Sequence, residues 1–160
     1  MGDIFSGSEI VEMAVQIEKN GRDFYNKVSA SSNNKDVKKI FEHLSMQEER
    51  HIKIFEDMLS AVKKYEPAEA YTDEYFGYMK ALADEHIFTK EKKGDEIAKT
   101  VKDDARAIEL GIGFEKDSIL FYHEMKSFVP ESEHNITERL IKEEQRHLKK
   151  LVLLKRGCHA

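Results

Sequence analysis

The feature that most constrains this chain is an apolar helical stripe that two polar residues interrupt. From about residue 35 to 65, apolar side chains recur at steps of three and four, which predicts one buried helical face. The stripe has a gap between Leu44 and Phe55, and the two positions that would fill it are Glu48 and His51. Their side chains point the same way, one turn apart. The pattern predicts a carboxylate and an imidazole in a helical interior, where each is costly unless something compensates it.

The same interruption occurs near the C-terminus, where Glu144 and His147 occupy the missing positions of a second apolar stripe. A helical pattern precedes each interrupted stripe and has one carboxylate in its own apolar face, Glu18 in the first half and Glu115 in the second. The two halves look like copies of each other. A pseudo-two-fold repeat of this kind would bring the two Glu-x-x-His pairs face to face.

The chain is expected to form a single domain over residues 1–160, with the profile of a helix-rich protein. Charged residues make up 36 % of it, and it has two Pro and no Trp. The periodicity predicts four long helices, at about 8–30, 35–65, from Asp103 or Asp104 to Pro130, and from Ser132 or Asn135 to a C-cap at Gly157. Two tightly joined helix pairs linked by a crossover define the all-α, ferritin-like four-helix bundle.

The long crossover, residues 66–103, lies between the second and third predicted helices. It is too long for a hairpin connection and in part too amphipathic to be disordered. We expect it to contain one short helix capped at Thr72, followed by a polar turn from Lys90 to Gly94.

Composition argues against several classes of partner. A net charge of −5 without a basic block argues against nucleic acid. No apolar run approaches the roughly 18 residues of a membrane span, and no signal-peptide pattern opens the chain. The single cysteine, Cys158, cannot form an internal disulfide, so a cytoplasmic location is expected.

The buried polar set has the chemistry of a two-metal site. Four carboxylates can supply four negative charges and two neutral imidazoles add nitrogen ligands, so two divalent cations would neutralise the cluster. Oxygen ligands mixed with imidazole favour iron, manganese or a mixed pair over a structural zinc ion. Glu48 and Glu144 are expected to bridge the ions, with Glu18 and Glu115 terminal. The predicted metal ligands are Glu18, Glu48, His51, Glu115, Glu144 and His147.

A Glu-x-x-His spacing alone is weak evidence, because the chain contains many Glu and seven His. Glu131 and His134 also fit the spacing, but they follow a proline and interrupt no apolar stripe, so we do not expect them to bind metal. Tyr25 and Tyr122 each follow a ligand Glu by seven residues on the same stripe. They are candidate catalytic residues that orient those carboxylates; the alternative is that they are ordinary core tyrosines.

With these residues in place, the chain resembles the rubrerythrin family of ferritin-like di-iron carboxylate proteins. The resemblance rests on the six predicted ligands and on the sequence from Phe114 to Ser118. It implies two irons per bundle, a homodimer or larger assembly, and reaction with hydrogen peroxide or dioxygen. Rubrerythrins usually add a rubredoxin domain with paired Cys-x-x-Cys motifs, which this sequence lacks, so the electron donor is expected to be a separate protein such as a rubredoxin. The family's seventh carboxylate is also absent, since Ile112 and Ser118 stand beside Glu115.

Three functions follow as alternatives. The first is a peroxidase or oxidase that uses a di-iron site. The second is ferrous-iron oxidation for iron storage or detoxification, which requires a hollow multimeric shell. The third is a metal-binding module without turnover, and a bundle that keeps Glu and His in a wet, metal-free core remains an alternative to all three.

Overall fold

The computed structural model describes residues 7–64, 73–86 and 93–158, and within these ranges the regular structure is helical throughout. The helices are α1 (Gly7–Ser31), α2 (Lys35–Lys64), α3 (Asp73–Asp84), α4 (Gly94–Thr100), α5 (Asp104–Met125) and α6 (His134–Cys158). Two 3-10 turns, Lys126–Phe128 and Glu131–Glu133, connect α5 to α6. In the part of the chain that the structure describes, no helix is both long and apolar enough to cross a membrane.

Four of these helices form the bundle. The most extensive contacts pair α1 with α2 and α5 with α6, and the pairs meet where α1 packs on α5 and α2 on α6. Each pair is joined by a short connection, whereas the crossover separates α2 from α5. The predicted all-α bundle with one long crossover between its second and third helices is confirmed.

Two of the described helix starts have a capping side chain, and the one at Asp103 confirms the predicted start of α5. The side chain of Asn34 accepts hydrogen bonds from the backbone N–H groups of Asp36 and Val37, at 2.9 and 3.2 Å. The side chain of Asp103 accepts from the N–H of Arg106 at 2.7 Å. Both carboxamide and carboxylate oxygens satisfy donors that the first helical turn leaves unpaired. The predicted cap at Thr72 lies outside the described residues.

Two predicted helix ends are wrong. The third bundle helix was expected to run to Pro130, but α5 ends at Met125 and the chain tightens into a 3-10 turn. The last helix was expected to end at a C-cap at Gly157, but α6 continues one residue further, to Cys158, and no described glycine has positive φ. A glycine permits the left-handed conformation without imposing it.

The described part of the crossover holds two helices rather than one. The predicted single helix corresponds to α3, but Gly94, placed in a polar turn, begins α4. Seven residues are too few for a periodic apolar pattern, and α4 is held instead by packing on α1. The Asn20 side chain accepts from the Gly94 N–H at 3.3 Å, and a Cβ at Gly94 would lie only 1.9 Å from the Asn20 carbonyl oxygen. Only glycine allows this approach.

Aromatic side chains from α1, α2 and α5 pack together in the bundle interior. Tyr25 meets Phe41 and Phe114 edge-on, with ring centroids 5.4 and 5.7 Å apart. Tyr122 packs on Phe55 at 5.0 Å. All five rings are fully buried. These rings exclude water from the polar cluster that lies between them, and each contributes roughly 1.5–3 kcal/mol through burial.

Candidate metal centre

The six polar side chains predicted from the stripes converge in the centre of the bundle. The helix α1 contributes Glu18 and α5 contributes Glu115, while α2 and α6 each contribute one Glu-x-x-His pair. Five of the six are completely buried, and His147 is 4 % exposed. Side chains of this polarity are almost never fully buried without partners.

One half of the cluster surrounds Nδ1 of His51. This nitrogen lies 2.7 Å from Oε1 of Glu144, 3.5 Å from Oε2 of Glu18 and 3.5 Å from Oε2 of Glu48. Ligand atoms of all four residues lie within 4.8 Å of one another.

The other half surrounds Nδ1 of His147 and reuses two of the same carboxylates. The nitrogen lies 3.1 Å from Oε2 of Glu144, 3.3 Å from Oε1 of Glu48 and 3.6 Å from Oε1 of Glu115. The two imidazole rings stack, with centroids 5.6 Å apart and planes at 15°. Glu48 and Glu144 therefore offer one oxygen to each half, as a pair of bridging ligands would.

The donor atoms of the cluster that lack a hydrogen-bond partner fit metal ions. Among the described residues, every buried side-chain nitrogen or oxygen without a hydrogen-bond partner belongs to this cluster. Even the shortest distance between an imidazole and a carboxylate in the cluster, 2.7 Å between His51 Nδ1 and Glu144 Oε1, lacks the geometry of a hydrogen bond. Ligand atoms bound to one ion at about 2.1 Å are about 3 Å apart, which the separations above approximate. The unpaired atoms are Glu18 Oε2, both oxygens of Glu48, His51 Nδ1, Glu115 Oε2 and Glu144 Oε1.

Two tyrosines hold Glu18 and Glu115, the carboxylates predicted to be terminal, but in a crossed arrangement. The Tyr25 hydroxyl donates to Oε1 of Glu115 at 2.6 Å, and the Tyr122 hydroxyl donates to Oε1 of Glu18. The sequence predicted that each tyrosine would orient the Glu on its own helix. Seven residues separate them by about two turns, roughly 10 Å, so each hydroxyl reaches the carboxylate of the facing helix instead.

Comparison with known proteins agrees with this geometry. The family model described as Rubrerythrin matches residues 9–155. This chain belongs to the rubrerythrin family. The crystal structure of a proposed ferritin-like diiron-carboxylate protein from Thermotoga maritima is similar to it, with a TM-score of 0.70 and 25 % sequence identity over 98 % of each chain. No curated protein matches the sequence significantly.

Burial and mutual repulsion set the charges of this rubrerythrin-family cluster in the absence of cations. Burial raises the pKa of Glu18, and the charges of Glu48 and Glu144 raise it further. Burial and the charge of Glu144 likewise raise the pKa of Glu115. Burial also raises the pKa of Glu144, but the positive charges and close ring nitrogens of His51 and His147 together outweigh it, so the pKa of Glu144 lies well below its ordinary value.

Both imidazoles hold protons strongly in this environment. Burial lowers the pKa of His51, but the charge of Glu144 and the close carboxylate oxygens of Glu144, Glu18 and Glu48 together raise it by more. For His147, the close carboxylates of Glu115, Glu144 and Glu48 together outweigh burial, so its pKa is also raised. Protons on the imidazoles and the terminal carboxyls thus occupy the place that cations would take.

Sequence reasoning missed one residue of the rubrerythrin-family centre. Glu143 lies outside the apolar stripe of α6, and its Oε1 lies 3.9 Å from Nη2 of Arg50. Its Oε2 is also 2.9 Å from Nε2 of His51. The sequence signal that could have found it is its position directly before Glu144. By contrast, Glu131 is exposed and Nε2 of His134 faces the Val129 carbonyl oxygen at 3.1 Å, away from the cluster.

The crossover brings a third buried histidine, His86, close to α5. Nε2 of His86 lies 3.4 Å from Oγ of Ser118, and the His86 ring packs edge-on against Phe114. Ser118 stands at one of the two positions where the sequence comparison would place a seventh carboxylate. At this position the side chain faces the crossover rather than supplying a further negative charge.

Proposed function

We propose that this protein is a di-iron carboxylate oxidoreductase that reacts with hydrogen peroxide or dioxygen. The observation that carries the proposal is the convergence of four buried carboxylates and two imidazoles into two overlapping ligand sets that share Glu48 and Glu144. Membership of the rubrerythrin family and the description of the Thermotoga maritima protein as diiron-carboxylate support iron as the metal.

Each ligand set has the donors for one ion. Glu18 and His51 would serve one ion, Glu115 and His147 the other, and the two shared carboxylates would bridge them. With four negative charges and neutral imidazoles, two divalent ions give a cluster without net charge. The same ligands accept manganese or a mixed pair, so metal analysis is part of the test.

Two bound irons would supply two electrons, one from each ion, and these, together with two protons from solvent, are what reduction of one hydrogen peroxide to two waters requires. The protein's own residues position the ligands and exclude bulk water. The crossed tyrosine hydroxyls fix the terminal carboxylates, and the aromatic rings around them keep the cluster dry. Burial and neighbouring carboxylates raise the pKa of both phenols, so Oη of Tyr25 and Tyr122 keeps its proton as a hydrogen-bond donor.

The oxidised centre must regain two electrons after each turnover. The described residues offer no second redox group, so we propose that a separate electron-donor protein, such as a rubredoxin, supplies them. A homodimer or larger assembly is proposed on the family resemblance.

The test is metal analysis followed by anaerobic addition of ferrous iron and then peroxide. We expect two irons per chain, a change in the visible spectrum on peroxide addition, and consumption of one peroxide per two ferrous ions. Glu48→Gln removes a charge shared by both sets, so it should lower iron content to one ion or fewer per chain. Glu131→Gln removes the same charge from the exposed Glu-x-x-His pair and should leave iron content at two.

Two results would overturn the proposal. Unchanged iron content in Glu48→Gln would show that the metal binds elsewhere. A loaded centre that reacts with neither oxidant would leave a metal-binding module without turnover. A mass of a multimeric shell in size-exclusion chromatography, with iron retained beyond two per chain, would instead indicate iron storage.

A further inference from the structure

The two Glu-x-x-His motifs differ at the residue directly before their Glu. In α6 this residue is Glu143, whereas in α2 it is Gln47. The internal repeat makes these two positions counterparts, so a symmetric centre would have the same residue at both. The difference places a carboxylate beside one ligand histidine only.

His51 has a carboxylate on each side of its ring. Nδ1 faces the cluster, and Nε2 lies 2.9 Å from Oε2 of Glu143. When Nδ1 binds a cation, the ring proton must be on Nε2, where it is donated to Glu143. The Glu143 side chain is 20 % exposed, so its charge is only partly screened by water. A carboxylate in this position orients the ring and makes the metal-bound nitrogen a stronger donor.

His147 lacks this support. Its Nδ1 faces Glu48, Glu115 and Glu144, but no described residue offers Nε2 a hydrogen bond. Gln47, the counterpart of Glu143, is neutral, and its Oε1 accepts a hydrogen bond from Nη1 of Arg50 at 2.6 Å.

We propose that the two metal positions are inequivalent and that the His51 position binds a divalent cation more tightly. Glu143 is the positioning residue for His51, whereas the neutral Gln47 cannot play that part for His147. The inference rests on the proposed function, since it requires that both ligand sets bind metal. Loss of such an outer carboxylate costs about 10–100-fold in metal affinity. The same ratio is the expected separation between the two sites.

The test is an anaerobic titration of the metal-free protein with Co²⁺, which binds oxygen and nitrogen ligands, absorbs visible light and is not oxidised under these conditions. The wild-type protein should bind two ions in two resolved steps. Glu143→Gln keeps the shape of the side chain but removes its charge, and should weaken the tighter step about 10–100-fold while sparing the other. Gln47→Glu should strengthen the weaker step, a gain that a merely structural role for this position would not produce.

A matched control removes a charge of the same sign from the same region. Glu49 pairs with Arg22 at 2.7 Å and contacts neither histidine. Glu49→Gln should leave both steps unchanged. Equal weakening by Glu49→Gln and Glu143→Gln would reduce the effect to general electrostatics and overturn the inference.

The remaining outcomes separate this inference from the function on which it rests. Two Co²⁺ ions bound with one affinity that Glu143→Gln does not alter would overturn the inequivalence and leave the two-metal site intact. Binding of fewer than two ions by the wild-type protein would overturn the two-metal site, and the inference with it.

Discussion

Metal binding to this cluster should release protons, because protons compensate the buried carboxylates when no cation does. The pKa of Glu18, Glu115, His51 and His147 is raised in the folded protein, whereas the pKa of Glu144 is lowered. A cluster with both imidazoles and both terminal carboxyls protonated and with both shared carboxylates ionised carries no net charge. Two divalent cations can replace these four protons without changing that balance.

The magnitude follows from this exchange. The two imidazolium protons must leave, and up to two carboxyl protons leave with them, which gives about two to four protons per pair of ions. One to two protons per ion means that lowering the pH by one unit weakens the binding of each ion by about 10–100-fold, or about 1.4–2.8 kcal/mol. The direction is fixed, because metal and proton compete for the same atoms, so affinity must rise with pH.

Proton release can be counted by adding Co²⁺ anaerobically to the metal-free protein in a weakly buffered solution that contains a pH indicator. Calorimetry in two buffers of different ionisation enthalpy gives the same number independently. Glu131→Gln is the control and should release as many protons as the wild-type protein. Binding of two ions without proton release, or with an affinity that does not change between pH 6 and 8, would refute the charge balance described above.

Three further predictions concern stability. The folded metal-free protein holds more protons on its two imidazoles and on Glu18 and Glu115 than the unfolded chain does. Its urea midpoint should therefore fall as the pH rises above about 4.5, where the unfolded carboxyls ionise, and fall more steeply above about 6.5, where the unfolded imidazoles lose their protons; the midpoint in the presence of saturating Co²⁺ should not fall. Tyr25→Phe and Tyr122→Phe each remove a hydroxyl that donates to a buried carboxyl group, so each should lower the free energy of unfolding by about 1–3 kcal/mol in urea titrations. Unchanged stability in both variants would contradict the crossed hydrogen bonds. Gly94→Ala should destabilise the protein by about 1–3 kcal/mol, since its Cβ would collide with the backbone of Asn20, whereas Gly77→Ala, with open space around it, should be neutral or slightly stabilising. Equal thermal midpoints for the two variants would contradict the packing of α4 on α1.

Local signals in the sequence determined much of the fold and most of the candidate site. Helical periodicity requires only that apolar residues share a face, so the bundle helices could be predicted from spacing alone. The same regularity made Glu48 and His51 conspicuous, because burying a polar side chain on an apolar face costs free energy unless a partner compensates it. Capping at Asn34 and Asp103 is equally local, since the side chain bonds to backbone two or three residues ahead.

What only the tertiary structure decided depends on which helices face each other and how closely. Tyr25 holds Glu115 rather than Glu18 because the hydroxyl reaches across the bundle, not along its own helix. Glu143 reaches His51 from α6, a contact between residues far apart in sequence. The helix α4 forms because Gly94 fits against α1, not because its seven residues carry a helical pattern. Periodicity specifies which side of a helix is buried, whereas the partner atom on the facing helix is fixed only when the helices pack.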